Sequence, residues 1–478
     1  MTVAPALSTA KRSLLESYLH ARIRQNPLAL PGIPKRNEDL AAPLTLSQEQ
    51  LVRREINTPN VPLLYNECIQ LRMRGPLDVS ALQKSFNDIV RRHDIWRTSY
   101  DIENGDVRQV VHSAAEPIEI RVVDLEGLCE ADQEAAIEMV IGHLAQQPFD
   151  LRNGPLLRTH FIKLSDLEHR LYVVAHLSIV DGVSVYQIFP KEVAINYRAH
   201  VFGRAPELSS LPIQFADYSH WQRKQLEGAS FIRTLEYWQT QLSHLTRLNW
   251  PTDRPRPERE SFRGKIEKFV LAAPVTDAVK SLAKTEGVTL FMVALSALAS
   301  LLHLYTRQDD FTIGTPSPSG RKRSDVQDLI GYFLTPVALR FRFTRNMTFR
   351  ELLRQAQRVT LEAISNDELP VEVLAQRLNL PVDHSRNPLF TVATSLQPTM
   401  PALNFDWTVT SMDISSGGSP WDLYLALIDG KEGLKGRVQY NPDLFNADTV
   451  TRFIAHYTNL IQVISENPEN RISAIGLS

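Results

Sequence analysis

Apolar residues recur along this chain with two periods. Alternation marks strands over residues 65–73, 97–100 and 311–314, whereas spacings of three and four mark helices over 78–92, 130–147, 275–286, 289–305 and 447–464. Within 78–92 the helical stripe is Leu82, Phe86, Ile89 and Val90. Two more strands are expected over 417–425 and 436–445. The most β-prone stretch starts at Leu171, with Val173, Ala175, Leu177 and Ile179 on one face and Val174, His176, Ser178 and Val180 on the other. Asp181-Gly182 breaks this run, and Ser184 is expected to cap a helix carrying Tyr186, Phe189, Val193 and Tyr197. A His and an Asp thus fall at a strand-to-helix junction, where backbone N–H groups and side chains converge on ligands. Their structural alternative is a buried His tied to a buried Asp.

The stretches between these elements suggest the organisation. Residues 25–43 are rich in Pro and aperiodic, as in an extended linker, and Ser47 is a candidate cap for a helix beginning at Gln48. Ahead of that linker, 11–23 is basic and amphipathic, which suits a surface helix joining a preceding domain better than a transit peptide. A helix with Trp238 and then Pro251, Pro255 and Pro257 make 225–260 the candidate hinge. At 478 residues the chain is too long for one core.

Composition narrows the function classes. Lys and Arg number 52 against 54 Asp and Glu, so nucleic-acid binding has no electrostatic support. Two cysteines, Cys68 and Cys129, make neither a disulfide framework nor a zinc site, which suits a cytoplasmic setting. No apolar run is long enough to span a membrane. Gly-x-Ser-x-Gly, P-loop, Gly-x-Gly-x-x-Gly and His-Glu-x-x-His motifs do not occur. His169 and His176 have no third ligand near them in sequence, so no metal is expected.

Residues 176–182, His-Leu-Ser-Ile-Val-Asp-Gly, resemble the core motif His-His-x-x-x-Asp-Gly of the condensation domains of nonribosomal peptide synthetases. His176, Asp181 and Gly182 match, but Leu177 stands where that family places the His used at the reacting amine. Six more segments resemble the family's motifs in its order: 44–51, 91–100, 212–222, 329–337, 366–372 and 383–390. Three positions depart from those patterns. Thr335 and Pro336 stand at an expected Asn and Thr, and Asn366 stands at an expected His.

The resemblance implies an α/β fold, mixed sheets flanked by helices, in two lobes of chloramphenicol-acetyltransferase type. These would form a V-shaped pseudo-dimer with a channel between them. The expected division is an N-terminal helix and linker over 1–43, a first lobe over 44–225, a connection over 226–260 and a second lobe over 261–478. The implied substrates are acyl groups on the phosphopantetheine arms of donor and acceptor carrier domains, joined as an amide, with neighbouring synthetase domains as partners. No intrinsic cofactor is implied. Asp181 would pair with Arg321 and tie the lobes, with Arg97 in a bracing role, and Gly182 would admit substrate and offer its N–H to an oxyanion. His176 is the nearest substitute for the missing imidazole, yet in a regular strand it faces away from residue 177. Asp181 and Ser184 also fit the heterocyclisation relatives of this fold, although His176 replaces their first Asp. Two readings therefore stay open: an amide-forming enzyme with an altered motif, or a domain that has lost chemistry and docks a carrier or tailoring enzyme. The linker-like start and the end soon after the last helix suggest a domain cut from a longer protein.

Overall fold

The computed structural model describes residues 32–37, 42–58 and 63–477, apart from 104, 114–116, 227, 382, 401, 404, 411–414 and 431–432. The expected 11–23 helix and most of the 25–43 linker lie outside the described residues. The first half runs β1 (Ala42–Pro43), α1 (Leu46–Asn57), β2 (Asn66–Arg74), α2 (Val79–Arg92), β3 (Thr98–Glu103), β4 (Asp106–Val111) and β5 (Arg121–Asp124). It continues with α3 (Glu130–Ala145), β6 (Leu157–Ser165), β7 (Glu168–His176), α4 (Phe189–Val201) and α5 (Phe215–Gln225). The second half begins with α6 (Ala229–Gln241), β8 (Lys265–Leu271), α7 (Ala273–Thr285), α8 (Leu290–Thr306), β9 (Asp310–Ser317) and β10 (Thr335–Arg342). Helices α9 (Phe349–Ser365) and α10 (Val371–Arg377) precede β11 (Val392–Gln397), β12 (Trp407–Thr410), β13 (Leu423–Gly430), β14 (Gly433–Tyr440) and α11 (Ala447–Glu466).

Local chemistry accounts for most of these boundaries. In α2 the stripe Leu82, Phe86, Ile89 and Val90 is buried, and the Asp78 side chain caps the first turn by accepting from the Ala81 N–H. Helix α8 is apolar nearly all round and buried nearly all round, as a central helix should be. Helix α1 starts earlier than its sequence suggests, because Thr45 rather than Ser47 accepts from the Gln48 N–H at 3.1 Å. Ser47 instead meets the Thr335 hydroxyl at 3.0 Å. The two late strands also shift, to 423–430 and 433–440, where they pair antiparallel as a hairpin. Among the described residues no single helix is long and apolar enough to cross a membrane.

Three sheets result. A five-stranded mixed sheet has the order β12-β2-β7-β6-β5, and a six-stranded one has the order β10-β9-β11-β13-β14-β8. A small three-stranded sheet, β1-β4-β3, completes the first half. The buried apolar residues fall into two clusters, one on each large sheet.

The second half also feeds the first core. Val326, Leu329, Ile330, Tyr332 and Phe333, between β9 and β10, are buried in it. Strand β12 leaves the second half altogether and pairs antiparallel with β2, Trp407 opposite Met73. After these crossings residues 417–418 thread the seam, bridging Leu63 on one side and Arg263 on the other. A β-carbon on Gly418 would sit 2.4 Å from the Leu63 carbonyl oxygen, a backbone atom that cannot swing aside. Gly418→Ala is expected to lower unfolding stability by about 1–3 kcal/mol, the usual range for forcing atoms into packed space. Chemical denaturation of the two proteins checks this, and an unchanged midpoint contradicts it.

Candidate functional site

The junction after β7 arises from two local events. Alternation stops at His176, where the chain tightens into a single 3₁₀ turn over 177–179. Asp181 then ends the turn and caps the next helix, its Oδ1 accepting from the Ser184 N–H at 2.7 Å and the Ser184 hydroxyl at 2.8 Å. The cap is thus Asp181 rather than Ser184, and the helix opens with a wide π turn over Ser184–Ile188 before α4.

The imidazole of His176 faces away from the space between the lobes. It shares its face of the sheet with Asn66, its cross-strand partner, whose amide donates to the Ala145 and Gln147 carbonyls beneath α3. The ring is fully buried, edge-on to Tyr65 and Phe149. Its Nδ1 lies 2.7 Å from the Ser178 hydroxyl and its Nε2 lies 3.2 Å from a Glu55 oxygen. Both ring nitrogens are therefore occupied within the first half.

Leu177 faces the other way. A cavity of about 250 Å³ between the two large sheets is lined by Leu177, Asp181 and Gly182 from the first half. Tyr332, Gln397 and Arg437 line it from the second, while His176 is not among its lining residues. A β-carbon on Gly182 would lie 3.0 Å from the Gln397 amide oxygen, so this glycine lets the chain leaving β11 pass close.

Asp181 joins the halves. Arg321 donates to both its oxygens, Nη2 to Oδ1 at 2.8 Å and Nε to Oδ2 at 3.0 Å. The Phe333 N–H adds a third contact at 3.3 Å. The guanidinium also donates to the Val326 and Leu329 carbonyls and lies 4.1 Å above the Phe333 ring. The Ser184 hydroxyl meets both the N–H and the carbonyl of Gly331. Asp181 thereby anchors the segment from Pro318 to Leu334 on the first core. Arg97 lies apart from this network. Its guanidinium bonds Asp94, the Val90 carbonyl and the His112 carbonyl, all in the first half, and so braces the α2-to-β3 joint. His93, beside it, reaches the second half by accepting from the Ile330 N–H at 3.2 Å.

Several charged groups at the cavity were not evident from the motifs. Arg54 reaches Glu372 across the lobes at 3.1 Å and lies 5.7 Å from the Phe262 ring. Burial raises the Tyr65 phenol above its usual range, with Arg54 opposing. Burial likewise raises the Glu67 carboxyl, opposed by Arg437 and His176. One signal in the sequence marks Glu67. On the alternating face Tyr65, Glu67, Ile69, Leu71 and Met73 it is the charged member of an otherwise apolar row.

Glu260, near Arg54 and Arg256, is pushed up to about 7, chiefly by burial. Its folded value exceeds the ordinary carboxyl value of 4.5, so it binds its proton more tightly folded than unfolded. The stability this group contributes is fully present below about pH 4.5 and is lost as pH rises through about 7. Glu260→Gln is therefore expected to melt higher than the parent at pH 8 and to converge with it in acid. A melting series over pH reads this, and parallel curves would refute it.

The comparisons fit this architecture. The family model described as "Condensation domain" matches residues 40–478. A linear gramicidin synthase polypeptide of Brevibacillus parabrevis is 34% identical over 99% of this chain, which spans 6% of that relative. Phosphinothricin tripeptide synthetase PhsC of Streptomyces viridochromogenes is 31% identical over 98% of this chain, which spans 43% of it. Among solved structures, the X-domain from teicoplanin biosynthesis superposes with a TM-score of 0.80 at 26% identity, covering 93% of this chain and all of that one. The first condensation domain of the calcium-dependent antibiotic synthetase, at 19% identity, shares the fold with a TM-score of 0.80 over 92% of this chain and all of its own. With mixed helix-flanked sheets as in those condensation structures, and a family match over nearly its whole length, this chain belongs to the condensation domain family.

Proposed function

We propose that this chain is a working condensation domain of a peptide synthetase. It receives two phosphopantetheine-borne acyl thioesters in the inter-lobe cavity and joins them as an amide. The acceptor amine attacks the donor carbonyl, and the pantetheine thiol departs. The observation carrying this reading is the cavity itself: it is open at Leu177–Gly182, the position where the family's motif meets substrate. A thioester is already activated, so holding an amine against it supplies much of the rate by removing translational and orientational freedom. Gly182 and the Asp181–Arg321 clip shape that cavity. The site residues His176, Asp181, Gly182 and Arg321 then act by support, since His176 faces the opposite side of the sheet. Carrier domains of a synthetase, in the cytoplasm, are the partners this reading requires.

The hydrocarbon at Leu177 favours a second reading, in which chemistry is lost and the domain serves as a docking platform. It draws support from the likeness to the X-domain, whose solved complex pairs it with OxyB in teicoplanin biosynthesis. One assay separates the two readings. Donor and acceptor carriers loaded with acyl and aminoacyl thioesters are mixed with the protein, and amide product is followed by mass spectrometry. Product above the protein-free rate supports the first reading. No product, with carrier binding retained, overturns it in favour of the second.

A further inference from the structure

The cavity holds a carboxylate that the family's motifs do not assign. Glu67 on β2 pairs with Ala175 on β7, one residue pair from the end of the ladder. Residues two apart on a strand share a face, and diagonal neighbours on adjacent strands lie about 7–8 Å apart. Glu67 is thus diagonal to Leu177 on the side opposite His176, and both residues line the cavity. A Glu side chain is long enough to span that diagonal. Among the described residues no hydrogen bond or ion pair is made to the Glu67 carboxylate. The charged and titratable groups that act on it are Arg437 on β14 and Tyr424 on β13, with His176 acting from the other face of the sheet. Glu67 lines the cavity, so its carboxylate is available to a donor that enters, and hydrogen bonds to an ionised acceptor are the strong ones.

We infer that Glu67 receives the amine of the acceptor substrate, holding it by a charge-assisted hydrogen bond and taking its proton as the amide forms. The nitrogen–carbon bond forms and the carbon–sulfur bond breaks. The proton released from nitrogen passes to the Glu67 carboxylate and from there to the departing pantetheine thiolate. The step rests on the cavity being an acyl-thioester site, and it moves the proton-accepting role from β7 to the neighbouring strand.

The test uses a stable probe, glycyl-aminopantetheine, in which an amide replaces the thioester, and its N-acetyl counterpart. Calorimetry on the full chain is expected to show the free amine binding roughly tenfold or more tightly than the acetylated probe, the scale of one hydrogen bond to a charged group. Glu67→Gln should abolish that preference and leave the acetylated probe's affinity unchanged. Glu67→Asp should keep part of it. A preference retained in Glu67→Gln, or absent from the parent, overturns the inference while leaving the cavity as a pantetheine site. Failure of both probes to bind overturns the inference and the cavity assignment together. Should Glu67→Gln fold poorly, carboxyl NMR of the parent decides instead, because the Glu67 resonance must move with the amine probe and not with its acetylated twin.

Discussion

Leu177→His is expected to raise the rate of amide formation by about 10²-fold, the lower end of what a positioned base supplies. The side chain at 177 faces the cavity beside Asp181 and Gly182, so an imidazole there would meet substrate without a change of backbone. The gain requires a neutral ring. It should appear above roughly pH 6.5, the ordinary imidazole value, and fade below it. If Glu67 already takes the amine's proton, the gain should be larger in a Glu67→Gln background, where the new base has no rival. The measurement is single-turnover amide formation with loaded carriers across pH. An equal rate in parent and variant at every pH would mean that proton removal does not limit the reaction.

Arg321→Met is expected to destabilise the fold by about 3–5 kcal/mol, the range for breaking a buried pair by removing one member. Asp181 is fully buried and the Arg321 side chain is 7% exposed, so water cannot replace the lost partner. Three donors would remain on Asp181, namely the Ser184 N–H, the Ser184 hydroxyl and the Phe333 N–H. They satisfy oxygens but do not neutralise charge. The Val326 and Leu329 carbonyls would lose their donor at the same time. Denaturant unfolding of the variant reads the loss, and a double variant with Asp181→Asn should recover part of it by removing the stranded charge. A cost under about 1 kcal/mol for Arg321→Met would show that the segment from Pro318 to Leu334 is held by its apolar side chains alone.

Much of this architecture was legible before any coordinates. The periods over 65–73, 78–92 and 289–305 correspond to β2, α2 and α8 because local periodicity records which side of an element is buried. The ordered motif segments pointed to the family, and the family's Asp and Arg lie within hydrogen-bonding distance at Asp181 and Arg321. Errors gathered at ends and caps. Ser47 and Ser184 are chemically good caps, yet Thr45 and Asp181 take those roles. Capping depends on the backbone direction at one residue, and several hydroxyls and carboxylates within a turn satisfy the same sequence rule.

What this chain determined by itself is the alternation of its elements and the hydrocarbon at 177, since both are written in neighbouring residues. What only the tertiary structure decided is which face each side chain meets. His176 and Glu67 sit on opposite faces of one sheet, and nothing local states that α3 covers the first while the second half of the chain stands across an open space from the other. Strand β12 joins β2 for the same kind of reason. An edge strand's unpaired N–H and C=O groups accept any suitable strand, and the chain's path over the whole molecule decides which one arrives.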